Sequence, residues 1–133
     1  MITMNDALTI AILTATAWLV SEIAKISLSS IKLKSFDVLA FFRYGGMPSA
    51  HSALVTGIAT SVFIVQGFTP LFVVCVAIAA LIIRDVSVIR GTIDKLSGAK
   101  KGSRIIPIAH SSKEIFVGVI IGLVVPYIVS LFL

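Results

Sequence analysis

Charge is what this chain has least of: Asp, Glu, Lys and Arg supply 13 % of its 133 residues, about half the share of an ordinary soluble domain. That is too little to solvate a globule of this size. Cysteine is nearly absent as well. Cys75 stands alone in an apolar run, so an internal disulfide is excluded and nothing is said about compartment. It reads as a small filler facing lipid or core. Only two histidines occur, His51 and His110. Dense His/Asp/Glu groups of the kind that hold metals are lacking. No basic residue precedes the first apolar run, so residues 7–24 read as a retained span rather than a cleavable leader. No lipidation motif, internal repeat or low-complexity linker is found.

What the chain has instead is apolar side chain, at 58 %, with a mean hydropathy of +1.11. Its cations are also sorted. All eleven Lys and Arg fall in two segments. Lys25, Lys32, Lys34 and Arg43 form the first. Arg84, Arg90, Lys95, Lys100, Lys101, Arg104 and Lys113 form the second. Residues 44–83 and 115–133 carry no Asp, Glu, Lys or Arg. A membrane-spanning helix needs about 20 mainly apolar residues. The stretch 44–83 therefore holds two short spans, divided at the turn Gly67-Phe68-Thr69-Pro70. This predicts an all-α polytopic bundle with four spans, over 6–25, 49–66, 70–89 and 112–132, and one domain over 1–133. Residues 91–111 read as a loop or short surface helix. Gly118 with Gly122, and Ala50 with Ala53 and Gly57, are spaced for close helix contact.

Four spans put both basic segments at one membrane face and both termini at the other. The positive-inside rule would make the basic face cytoplasmic. Cations kept to bind an anion would give the same pattern, so the rule does not orient the chain by itself. Between flanking spans, acidic lipid head groups suit these cations better than nucleic acid does.

Both histidines lie at that face. His51 sits in Gly45-Gly46-Met47-Pro48-Ser49-Ala50-His51-Ser52. Gly46 offers closely approachable backbone, and Pro48 suits the first position of a helix. Amides at such a start favour an anion, and Ser49 adds a hydroxyl. The competing reading is a plain helix start with a polar first turn. His110 precedes Glu114 by one helical turn, where a carboxylate could orient the imidazole as nucleophile or base. Ser111 to Glu114 is equally a capping box, in which Glu114 serves the helix start. Both readings of Glu114 stand. Glu22 and Lys25, three residues apart near the end of the first span, form a natural ion pair. Snorkelling to the interface accounts for Lys95, Lys100, Lys101 and Lys113.

Ser103-Arg104, five residues, His110, three residues and Glu114 resemble the third motif of the type 2 phosphatidic acid phosphatase superfamily, Ser-Arg-x5-His-x3-Asp. Gly45 to Ala53 resembles the signature Gly-Gly-Met-Pro-Ser-Ser-His-Ser-Ala of a divergent branch of it. That branch comprises small membrane proteins related to acid phosphatases and vanadium-dependent haloperoxidases. Lys25, Asp85 with Arg90, and His110 with Glu114 and Gly118 match the branch in order.

The resemblance implies a metal-independent, cofactor-free membrane phosphatase acting on a lipid phosphate or isoprenoid (pyro)phosphate. It implies His110 as nucleophile, Glu114 as its orienting carboxylate and His51 as general acid. Lys25, Gly46, Ser49 and Arg104 would hold phosphate oxygens, with Arg90 the rival of Arg104 for that role. It also implies residence in a bacterial cell membrane or an organelle membrane. Departures are plain: Lys32 stands where the superfamily has Arg-Pro, and a lysine is a point charge rather than a bidentate fork. Four spans are fewer than the superfamily's six, so a homodimer that completes the site is a further expectation. Other functional readings are a non-catalytic lipid-phosphate binder or transporter, and an accessory membrane subunit. A metal site on Asp85 and Asp94 fits poorly, because their spacing does not put them on one helix face.

Overall fold

The computed structural model describes residues 4–34, 46–98 and 112–133. The described residues form four α-helices: α1 (Met4–Leu33), α2 (Ala50–Gln66), α3 (Pro70–Gly98) and α4 (Ser112–Ser130). Three are long and apolar enough to cross a membrane, over Asn5–Ile31, Pro70–Val88 and Ser112–Ser130. The second, Ala50–Gln66, is apolar but shorter. At ~1.5 Å per residue it reaches about 25 Å, somewhat less than the ~30 Å of a hydrocarbon core.

The expected all-helical bundle is therefore present, with three differences in its elements. α1 runs on past Lys25 to Leu33, and Lys34 ends it in a left-handed conformation (φ 52°). α3 continues to Gly98, so residues 91–98 are the end of a long helix rather than a loop. Extending an existing helix costs far less than nucleating a new one, which lets a mildly polar segment follow the apolar span. Pro48 stands two positions before the first residue of α2, after a cis Met47–Pro48 bond, and Ser49 is the N-cap. The expected proline at the first helical position is thus displaced outward.

The small residues explain the packing. α1, α2 and α4 pack against one another, and α3 packs against α2. Gly118 and Gly122 on α4 bring it almost to backbone contact with α2. A Cβ at Gly122 would lie 2.7 Å from the Ala53 carbonyl oxygen and 2.9 Å from the Gly57 nitrogen. A Cβ at Gly118 would meet the Ser49 carbonyl oxygen still closer. Gly57 in turn admits Ala17 of α1, whose Cβ is 3.1 Å from where its own would be. Lipid is as apolar as leucine, so association within a membrane depends on such close packing and on interhelical hydrogen bonds. Thr14 of α1 donates to Ser61 Oγ at 3.3 Å, and Ser61 donates to the Gly57 carbonyl at 2.7 Å. Thr60 donates to the Thr56 carbonyl at 2.9 Å. The buried hydroxyls of Ser61 and Thr60 are thereby satisfied within α2.

Candidate functional site

The site end of the bundle is built from Glu22 and Lys25 in the second half of α1 and from the starts of α2 and α4. On α1, Glu22 and Lys25 point inward and are each 6 % exposed. Lys25 Nζ lies 2.7 Å from Glu22 Oε2. The same oxygen accepts no aligned hydrogen bond, so charge rather than hydrogen-bond geometry holds the pair. Their three-residue spacing puts them on one helix face. Ser21, beside them, is fully buried and its hydroxyl has no partner.

The turn before α2 lies against this pair. Gly46 adopts φ +107°, a conformation that favours glycine. The Lys25 stem passes beneath it, with Cγ 3.5 Å from the place a Gly46 Cβ would occupy. The turn is then pinned to α4, because the Ser49 amide donates to the Glu114 carbonyl at 2.9 Å. Ser49 is fully buried and caps α2: its Oγ accepts from the Ser52 amide at 3.3 Å and from the Ser52 hydroxyl at 3.0 Å. Asn, Asp and Ser are the preferred caps because such an oxygen satisfies an amide the helix leaves open. His51 is exposed on the first turn of α2, and Glu114 is half-buried on the first turn of α4.

Lys25, the Gly46–Ser49 turn and the start of α4 thus come together from three distant parts of the chain. Arg104, His110 and Ser111 lie outside the described residues, as do Gly45 and the connection 99–111 that carries them. Arg90 is on α3, with its side chain outside them also. Two groups were not marked as site residues by sequence reasoning alone. Ser52 completes the cap through its amide and hydroxyl. Glu22 reads in the sequence as a simple partner for Lys25, and in the fold it is buried with that lysine at 2.7 Å. Its signal was the spacing to Lys25 inside an apolar run, where an ionisable residue is costly. Among the described residues, no three His, Cys, Asp or Glu side chains gather as a metal site would require.

Burial, caps and close contacts describe an end of the bundle at which a buried cation, a glycine turn and two helix starts meet. A family model described as the Divergent PAP2 family matches residues 3–125. No curated protein matches the chain, and no solved structure does.

Proposed function

The chain belongs to the divergent PAP2 family and is a phosphatase-related membrane protein; from that premise we propose that it hydrolyses a lipid phosphate or isoprenoid (pyro)phosphate at the membrane surface. The observation that carries this reading is the convergence of Lys25, the Gly46–Ser49 turn and the first turn of α4 at one end of the bundle. Each carries part of a motif named above: Lys25 of the first, Gly46 to Ser49 of the second, and Glu114, the last residue of the third. In the proposed reaction an imidazole nitrogen of His110 attacks phosphorus, and the bond from phosphorus to the lipid oxygen breaks. His51 protonates that leaving oxygen. Water then attacks the phosphohistidine, releasing phosphate and returning the proton to His51. Glu114 orients His110, while Lys25 and Arg104 or Arg90 offset charge on the phosphoryl oxygens. Gly46 lets backbone approach the phosphate closely. Ser49 contributes by holding the turn and the start of α2 in register with α4.

The test is phosphate release from lipid phosphates by the purified chain in vesicles. His51→Ala should lower the rate by roughly 100-fold or more, the usual range for an acid–base group, and His110→Ala, which removes the nucleophile, at least as much. The second should also abolish an acid-labile phosphoenzyme. Undiminished turnover in both variants would sink the reading. A non-catalytic lipid-phosphate binder is the second reading, favoured by Lys32 standing where the superfamily has Arg-Pro. Saturable binding without turnover by the unaltered chain would select it.

A further inference from the structure

α3 is covered by little of the rest of the bundle: only 6 % of its spanning stretch is buried. Its covered face carries Phe72, Ala79 and Ile83, and Phe72 packs at a tilt against Phe63 of α2 with ring centroids 5.1 Å apart. The opposite face carries Val74, Ala77 and Leu81, with Val74 52 % and Leu81 58 % exposed. Arg84 and Asp85 follow, both exposed and neither paired within the described residues. At 3.6 residues per turn, the line through Val74, Ala77 and Leu81 passes between these two charges. The arginine flanks the apolar line on one side and the aspartate flanks it on the other.

Their place makes them costly for a lone helix, because both fall inside the apolar stretch Pro70–Val88, about one turn from its end. An arginine stem can snorkel outward, but the short aspartate cannot. Ionisable groups inside such a stretch face protein or pair with one another. A partner for this face must therefore present an anion opposite Arg84 and a cation opposite Asp85, separated by an apolar line.

We propose that a second copy of this chain is that partner. The two α3 helices pack in parallel about a two-fold axis along the membrane normal. A two-fold axis sets the left flank of one helix against the right flank of the other. Arg84 of each copy then meets Asp85 of the second copy, twice over, and Val74, Ala77 and Leu81 form the seam between. Ala77 permits close backbone approach at the middle of that seam. The arrangement depends on α3 alone and holds whether or not the chain hydrolyses phosphate.

The test uses the full chain in vesicles at high lipid-to-protein ratio, with Cys75→Ala as background. Leu81→Cys should oxidise to a disulfide-linked dimer several-fold more efficiently than Leu123→Cys, a control on the exposed side of α4. Arg84→Glu and Asp85→Lys are then added singly to Leu81→Cys, in copies bearing different tags. Each alone sets like charges against each other and should lower cross-linking several-fold. Mixing the two restores opposite charges on both flanks, and disulfides joining the two tags should return to near the parent level. Equal cross-linking at Leu81 and Leu123, undiminished cross-linking in both reversals, or a mixture no better than either alone would overturn the proposal. The mixed sample also covers misfolding, because only complementary charge can restore the cross-tag product.

Discussion

Gly118 and Gly122 stand where α4 meets the backbone of α2, and their lack of a side chain is what the contact requires. Alanine at Gly122 would place its Cβ 2.7 Å from the Ala53 carbonyl oxygen, a backbone atom that cannot swing aside. Gly122→Ala and Gly118→Ala should each lower stability in detergent by about 1–3 kcal/mol, as overpacking does, read as a fall in the thermal midpoint. Gly46→Ala is different in kind: its Cβ would have ordinary clearance from Lys25, and the cost comes from φ +107°. The Glu22–Lys25 pair makes a sharper case. Removing one member leaves a buried charge uncompensated, which costs about 3–5 kcal/mol, whereas replacing both with apolar groups is often neutral. Glu22→Leu should therefore unfold at markedly lower temperature than the parent, and Glu22→Leu with Lys25→Met should recover most of the loss. If Lys25 also grips phosphate, the double variant will fold and still show no phosphate release.

Among the elements, α2 carries most of the packing. It touches α1, α3 and α4, and its start is fixed at two points. Ser49 caps the helix through its own oxygen and ties it to α4 through its amide. Ser49→Ala removes the cap oxygen but leaves the backbone bond to Glu114. The expected cost is about 1 kcal/mol, and hydrogen exchange should rise first at the Ser52 amide. Uniform protection at that amide would count against the cap as the anchor of this turn. α2 ends as definitely as it begins, at Gly67 with φ 70°. Its short length follows from these two ends.

For the whole molecule, the contacts set a topology that can be measured. Lys25 lies against Gly46, and Ser49 bonds to Glu114, so the end of α1 and the starts of α2 and α4 share one face. On a Cys75→Ala background, cysteines at Lys34 and Lys113 should react with an impermeant maleimide from one side of sealed vesicles. Cysteines at Phe68 and Phe132 should react from the other. Labelling of Lys34→Cys and Lys113→Cys from opposite sides would contradict the fold. Much of this was legible in the chain itself. The apolar runs, the turn at Gly67–Pro70 and the small-residue spacings on α2 and α4 mark four helices and two of their contact faces. The length of α3 was not legible, because the polar residues from 91 onward read equally as a loop or a short surface helix, and only the fold shows 91–98 continuing α3.

By itself the sequence determined that this is a helical membrane protein, because hydropathy is a local property that lipid and water sort without reference to fold. It determined family membership in the same way, through motifs readable in order along the chain. Which charges are buried, and against what, was decided only by tertiary structure. Glu22 and Lys25 could have met water or each other, and Ser49 could have offered its hydroxyl outward. Close approach of α1 and α4 to α2 shuts these groups away from solvent, so Glu22 must neutralise Lys25 and Ser49 must serve its own helix. The same packing leaves Arg84 and Asp85 exposed.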